Sequence, residues 1–595
     1  MSYLFLKKNI AQLIATISNS DDKGKNSEDA SSGLKRTLGP FDITMLGVGA
    51  IIGAGIFSLT GQAAANYSGP GIVYSFIIGA ALCALAGLCY AEMAAMIPVS
   101  GSAYAYAYVT MGEGMAWIIG WTLILEYAFG ASVVANSWSA YLLSLLHTLG
   151  INIPDALLLY TKGPGELVTL SSQQQVFGIW NIPASVVVVL VASMLYRGTS
   201  KSATMNAVIV VLKMTIVLLF IILGITVVSK TNLVANPYAS NFFTSLVPAR
   251  EVLIDAKTGI KTIQYGWLNG GVLTGAGMVF FAYIGLDAVS TVAQEAKNPK
   301  RDMPIGILTS LFICALLYVL VGVTLTGVVP YKLLSISDPI ALGIDKIAEL
   351  RNWSAITKTT VNSLVKFGAL AGLTSVVLVF TMGQTRIFYA IAKDGLLPFF
   401  SKLHPKHQTP HIATIFTGFF IAICGGLLPI RLVANLVSLG TLMVFLIVCA
   451  SVSILRFTNP NAERPFKVPF VWFVSPGGVI ACAWLMSGLD FATWLRLAEW
   501  LAIGVGIYFI YGRRHSASQL GNGFVFGSKV LDYLGFALFI IGSFAAAKSI
   551  ILIKNTITSN PSFLLPIVGY SVTTLFGVFA LLYGLKLMHK NVQTR

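Results

Sequence analysis

The sequence predicts an all-α membrane protein of about fourteen spanning helices. Three observations predict it. Of 595 residues, 56% are hydrophobic and only 10% charged, where a soluble domain carries about 25% charged residues. Apolar runs long enough to cross a bilayer recur along almost the whole chain. Basic residues sit mainly in the short loops between those runs, which is the positive-inside pattern.

The apolar runs place spans at 43–65, 71–96, 112–146, 182–197, 203–228, 271–293 and 304–328. They continue at 363–393, 411–428, 433–456, 474–490, 493–511, 529–549 and 562–588. With a cytoplasmic N-terminus, 24 of the 39 Lys and Arg residues fall on the inner side. That bias puts both termini inside and requires an even number of spans. Residues 1–40 form a cytoplasmic tail. Tyr3–Ile17 reads as a short surface helix, and the polar run Ser18–Ser32 as a disordered stretch rather than a cleaved signal peptide.

The net charge of +16 does not indicate nucleic acid, because no basic helix face or aromatic-basic module carries it. Cys83, Cys89, Cys314, Cys424, Cys449 and Cys482 all lie in apolar stretches without a CxxC pair. They read as small core residues, with no disulfide framework, metal site or cofactor implied. No catalytic triad appears, so an enzyme is not expected. No selectivity-filter repeat marks an ion channel.

The first span contains Leu46-Gly47-Val48-Gly49-Ala50-Ile51-Ile52-Gly53-Ala54-Gly55-Ile56-Phe57. Each such glycine costs a helix about 1 kcal/mol relative to alanine. Close helix packing through Gly49 and Gly53 explains the run. So does an unwound midpoint that offers backbone groups to a ligand. The Rossmann spacing is absent. The sixth span, Gly275-Ala276-Gly277 through Phe281-Ala282-Tyr283-Ile284-Gly285-Leu286-Asp287, has the same ingredients. Spans 1 and 6 are five apart, which suits two five-helix repeats of inverted topology, each beginning with a broken helix. Those repeats would occupy residues 41–228 and 229–456, followed by spans 11 and 12 in 457–515 and an extension in 516–595.

Charges inside spans mark the remaining candidates. Lys213 lies deep in the fifth span, where a lysine costs at least ~2.5–3.5 kcal/mol on insertion scales and needs a partner or a cavity. A lysine that exchanges its proton there would be a proton carrier; a structural ammonium held by carbonyls is the alternative. Glu126 is the deepest acid, placed to pair with a cationic substrate, with Lys213 or with neighbouring hydroxyls, in a gating or specificity role. Glu92, Glu113 and Asp287 read as structural or gating groups.

Several ordered segments resemble the amino acid–polyamine–organocation transporters, in particular the cationic amino acid transporter branch. They are Gly49 to Phe57, Ala86-Gly87-Leu88-Cys89-Tyr90-Ala91-Glu92, Gly101-Ser102-Ala103-Tyr104, Phe281 to Asp287, Gln294 to Ile307, Arg386 to Pro398 and Tyr511 to Ser516. The resemblance covers about 35–515. It implies the LeuT-like fold of two intertwined repeats with helices 1 and 6 broken, and a substrate held between spans 1, 3, 6, 8 and 10. The N–H groups of Ala54 and Gly55, beside Gly53, would hold an amino acid carboxylate. The carbonyls of Ile52, Phe281, Ala282 and Ile284 would take its ammonium, with Phe281 as a gate. Lys213 matches the lysine of bacterial relatives and implies proton coupling, its ammonium lying near Gly47 and Val48. Side-chain selection would fall to Glu126, Ile284, Thr381, Met382 and Ser438; a bulky Met382 favours small neutral amino acids, while Glu126 facing the pocket would favour cationic ones. The expected function is proton-coupled amino acid symport at the cell membrane. An exchanger or uniporter, and a membrane sensor that does not transport, are the alternatives. A lipid or accessory-subunit role for spans 13 and 14 is left open.

Overall fold

The computed structural model describes residue 7 and residues 38–516, apart from 100, 165, 171, 198–201, 237–238, 240, 249–251, 255–260, 264–265, 268–270, 337, 405–408, 490 and 513–514. The proposed surface helix, the polar tail and spans 13 and 14 lie outside the described residues.

Eight apolar helical stretches are long enough to cross a membrane, and the first of them, Pro40–Met96, contains both span 1 and span 2. Three shorter apolar helices, Ile182–Tyr196, His411–Leu427 and Val471–Ser487, fall at spans 4, 9 and 11. All of spans 1 to 12 are therefore helical. The protein is an all-α, multi-pass membrane bundle. Its exposed apolar side chains, among them Val208, Phe312, Phe419, Phe473 and Ile480, suit helices surrounded by lipid tails.

Span 2 is Ile72–Met96, span 3 covers Glu113–Thr148, and span 5 is Ser202–Ile225. Span 6 occupies Val272–Thr291, span 7 Pro299–Val328, span 8 Ala355–Lys393, span 10 Ile430–Thr458 and span 12 Phe491–Gly512. Pro299 opens span 7 at its first turn, where a missing N–H costs nothing. Span 8 starts eight residues before its apolar run because Ser354 caps it, accepting from the Thr357 N–H at 3.2 Å. Hydropathy alone does not register that polar first turn.

Span 1 sits at the centre, against spans 5, 7 and 8. Small residues set that proximity: a Cβ on Gly47 would lie 2.6 Å from the Ser310 hydroxyl of span 7. Span 12 clamps onto span 3 through indoles. Trp121 stacks on Trp500 with centroids 4.7 Å apart, and Trp117 Nε1 donates to the Gly504 carbonyl at 2.7 Å. The long loops carry short elements of their own. Leu167–Thr169 pairs antiparallel with Gln175–Phe177, Val252–Ile254 with Lys261–Ile263, and Pro339–Leu350 is an amphipathic helix.

Candidate functional site

Span 1 runs as an α-helix from Pro40 to Ile51 and stops. Ile52 turns to an extended conformation, φ −74° and ψ 93°, and helical winding resumes at Ala54. Gly55–Leu59 is wound more widely, as a π-turn. Span 6 shows the same interruption. Its α-helix ends at Val279, a tight turn covers Phe280–Tyr283, and Ile284 is extended at φ −62° and ψ 139°. Gly285 then takes φ +104°, a conformation costly for any residue with a Cβ. The chain is unwound at 52–53, and the glycines beside the break let it meet a neighbour.

That neighbour is the break in span 6. A Cβ on Gly55 would lie 2.2 Å from Ala282 Cα, and one on Gly285 would lie 3.0 Å from the Ala50 carbonyl carbon. The two interruptions therefore touch backbone to backbone. Tyr318 of span 7 ties them together, its hydroxyl reaching the Ile51 carbonyl at 2.7 Å and the Ala282 carbonyl at 2.8 Å. At such a break the last carbonyls of one half-helix and the first N–H groups of the next lack helical partners. The second half of span 1 also carries about +0.5 charge at its start. Gly53, Ala54, Gly55, Phe281, Ala282 and Ile284 are all buried around this junction.

Lys213 is fully buried, and it reaches span 1. Its Nζ donates to the Gly49 carbonyl at 2.5 Å, the Ile52 carbonyl at 2.9 Å and the Ser375 hydroxyl at 3.4 Å. The expectation placed it near Gly47 and Val48; the ammonium lies further along. The reason is the break itself, since carbonyls of the last helical turn are the ones freed for an outside donor. Gly372 admits the lysine stem, as a Cβ there would stand 3.1 Å from Lys213 Cβ. The Ile52 carbonyl thus serves Lys213, and the Ala282 carbonyl serves Tyr318.

The acids divide into two groups. Glu126 and Asp287 are both fully buried and interact with each other, across spans 3 and 6. The Tyr127 hydroxyl donates to Asp287 Oδ2. Neither Glu126 oxygen has a well-formed hydrogen bond, nor does Asp287 Oδ1, among the described residues. Glu92 is different. It accepts from Arg456 Nη2 at 2.6 Å and the Val468 N–H at 2.7 Å, with Arg464 Nε at 3.5 Å, and so ties span 2 to span 10 and its following loop. Glu113 accepts from Tyr108, Tyr508 and Ser516 at 2.7, 2.9 and 2.5 Å. Those two are structural knots.

Around the selection residues, Met382 is half-buried and Thr381 is buried, its hydroxyl donating to the Val377 carbonyl at 2.7 Å. The Ser438 hydroxyl, the Thr441 hydroxyl and both side-chain polar atoms of Gln384 are buried without a hydrogen-bond partner among the described residues. Sequence reasoning missed Tyr318, Tyr127 and Thr441. A tyrosine or threonine in an apolar span carries no mark that separates it from core. Arg386 and Glu295, each within a family-like segment, pair at 2.7 Å, joining span 8 to the segment after span 6. No group of His, Cys, Asp and Glu among the described residues could hold a metal.

A model of the amino acid permease family matches residues 38–507. The chain is 40% identical over 515 residues to the branched-chain amino acid permease BcaP of Bacillus subtilis, covering 86% of this chain and 98% of that one. It is 38% identical over 517 residues to the methylthioribose transporter of Bacillus subtilis, covering 87% and 99%. It is 34% identical over 434 residues to the vacuolar cationic amino acid transporter 4 of Arabidopsis thaliana, covering 73% and 65%. With a membrane bundle whose first and sixth spans break against each other, and a match across almost all of its described length, the chain belongs to the amino acid permease family of the amino acid–polyamine–organocation superfamily: it is a membrane transport protein and not an enzyme.

Proposed function

We propose that this protein is a secondary active transporter that takes up small neutral amino acids together with protons, by alternating access around the paired breaks. The observation that carries this is the backbone contact of Gly55 with Ala282. It puts the start of one half-helix beside the end of another, so opposite partial charges face one space. A zwitterion fits such a pair: the carboxylate at the N–H groups of Ala54 and Gly55, beside Gly53, and the ammonium at the carbonyls of Phe281, Ile284, Ile52 and Ala282. The last two carbonyls keep a second lone pair beside the donors they already hold. Phe281 covers the substrate as a gate.

The arrangement suits a LeuT-like 5+5 inverted repeat of 41–228 and 229–456 within about fourteen spans, with both termini cytoplasmic. Lys213 occupies the place of a bound cation against span 1, and its proton is the coupling ion. A neutral Lys213 would release the Gly49 and Ile52 carbonyls and free span 1 to move. Half-buried Met382 limits side-chain size, which favours a small neutral substrate. That agrees with the relative named for branched-chain amino acids.

The relative named as a methylthioribose transporter supports a second reading. A thioether sugar has no carboxylate or ammonium, so it would not use the helix ends as a zwitterion does. Uptake into proteoliposomes separates the cases. Leucine, isoleucine, alanine, arginine and methylthioribose are supplied with and without an inward proton gradient. Gradient-driven accumulation of the neutral amino acids is expected, and it should vanish in Lys213→Ala. Methylthioribose uptake alone would replace the substrate; uptake indifferent to the gradient would replace symport with exchange or uniport.

A further inference from the structure

We propose that a groove over span 2, between spans 7 and 11, holds an anionic phospholipid. Its headgroup sits at a basic mouth formed by the start of span 7 and the loop before span 11.

The groove follows from how three helices pack. Span 7 lies against one flank of span 2, where a Cβ on Gly87 would stand 3.6 Å from Leu311 Cδ2. Span 11, Val471–Ser487, lies against another flank, where its Gly478 given a Cβ would stand 3.7 Å from Leu85 Cβ. At 3.6 residues per turn, Ala81, Ala84 and Leu88 fall between those flanks. Ala81 is exposed, while Ala84 and Leu88 are half-buried. Two of the three are alanines, so span 2 forms a low floor. The walls stand higher: Phe312 of span 7 is 70% exposed, and Phe473 and Ile480 of span 11 are 74% and 69% exposed. A floor of short side chains between projecting apolar ones fits an acyl chain.

The mouth supplies the charge. Lys297, Lys300 and Arg301 are exposed at the start of span 7, and Lys467 is exposed on the loop between spans 10 and 11. Lys300 Nζ meets Glu463 Oε1 of that loop at 2.9 Å, which brings the two segments together. Glu92, near the end of span 2, accepts from the Val468 N–H at 2.7 Å and holds the loop at the end of the floor. The acids nearby do not cancel these cations. Glu463 is exposed, Glu295 is paired with Arg386, and Asp302 is buried and accepts from the Asn298 N–H at 3.0 Å. Arg456 and Arg464 are already committed to Glu92. The surplus of positive charge at a membrane surface draws an anionic headgroup. Aromatic side chains mark the same level. Phe457 and Trp472 pack with ring centroids 5.0 Å apart. Phe470 takes φ +45° and ψ 48°, a backbone disfavoured for an L side chain, and its ring is 87% exposed. A phenyl ring turned outward there is stable in the membrane interface and not in water. A basic mouth that opens onto an apolar groove selects a lipid over a free phosphate.

This inference rests on the membrane fold and not on the transport reading. The full-length protein is reconstituted in nanodiscs of phosphatidylcholine and phosphatidylglycerol, with bromine on the acyl chains of one lipid or the other at equal mole fraction. The Trp472 signal is the difference between the fluorescence of wild type and of Trp472→Phe. Brominated phosphatidylglycerol should quench it about fivefold more than brominated phosphatidylcholine, the gain that one basic residue gives at an anionic surface. High salt should weaken that preference. The double variant Arg301→Gln with Lys467→Gln, both exposed positions, should abolish it. Equal quenching by the two lipids in wild type, or a preference unchanged in the double variant, overturns the inference. Quenching by neither lipid would mean that protein covers the groove, a second copy or a later part of this chain, and overturns it as well. A protein that shows the preference but moves no amino acid would leave this site standing and sink the proposed function instead.

Discussion

At the scale of single residues, Gly55 and Lys213 hold the junction together. Gly55 has no room for a side chain, because a Cβ there would overlap the backbone of Ala282 rather than a movable side chain. Gly55→Ala should therefore push spans 1 and 6 apart, lowering thermal stability by about 1–3 kcal/mol as overpacked cores do. Uptake should be lost, and a Gly55→Ala protein with normal uptake would show that the contact is dispensable. Lys213 satisfies two carbonyls that the break would otherwise leave bare in a dry interior. Lys213→Ala should cost about 1–3 kcal/mol for each acceptor left without a donor. Unfolding midpoints in detergent, measured with Lys213→Ala beside wild type, check that loss. A depth of eleven residues into span 5 made Lys213 visible in the sequence as a charge needing partners. Which carbonyls it serves was not visible, since that depends on where span 1 stops and how span 5 crosses it.

At the scale of elements, ionic knots tie spans to one another. Glu92 is buried and joins span 2 to Arg456 and to the loop at Val468. Glu92→Gln keeps the shape but removes the charge, and should destabilise the fold by about 1.5–3 kcal/mol, the range for hydrogen bonds to charged groups. Thermal unfolding in detergent would read it; an unchanged midpoint would mean the knot is solvated. The Arg386–Glu295 pair is partly exposed, so its loss should change stability by only about 0–1 kcal/mol. Its effect should be on conformation. Glu295→Gln should raise the labelling rate of a cysteine placed at Asp287 level, and equal rates would show that the pair does not restrain that segment. Apolar length and charge made the helices at spans 1 to 12 legible, including the shorter ones at spans 4, 9 and 11. The glycine runs marked both breaks. The π-turn at Leu125–Phe129 and the indole clamp of Trp117, Trp121 and Trp500 were not legible. They arise from contacts between spans more than a hundred residues apart in the chain.

At the scale of the molecule, a long loop packs on the bundle through a carboxyl that makes its closure sensitive to pH. Glu166 lies between spans 3 and 4 and accepts from the Ile430 N–H at 3.3 Å, at the start of span 10. Burial pushes its carboxyl above the usual range, and Lys162 and that N–H only partly oppose it. A carboxyl raised in the folded state binds its proton more tightly there than in the unlocked loop. The cap is therefore favoured as pH falls through the folded value and penalised above it. Hydrogen exchange of residues 155–181 should slow as pH is lowered across that range, once intrinsic exchange rates are corrected. Glu166→Gln should remove the dependence. The same trend in the variant would assign it to another group.

Under the proposed function, a substrate head bound at two helix breaks would draw together the elements that carry them. Nothing in that site is built from unusual side chains, so its chemistry lies in backbone ends that the glycine pattern only outlines. Competition binding tests it most directly. Labelled leucine is displaced by leucine, N-acetyl-leucine and leucine amide on the purified protein. The account predicts displacement by free leucine and none by either blocked form, since one lacks the ammonium and the other the carboxylate. Equal displacement by all three would contradict recognition at the paired breaks.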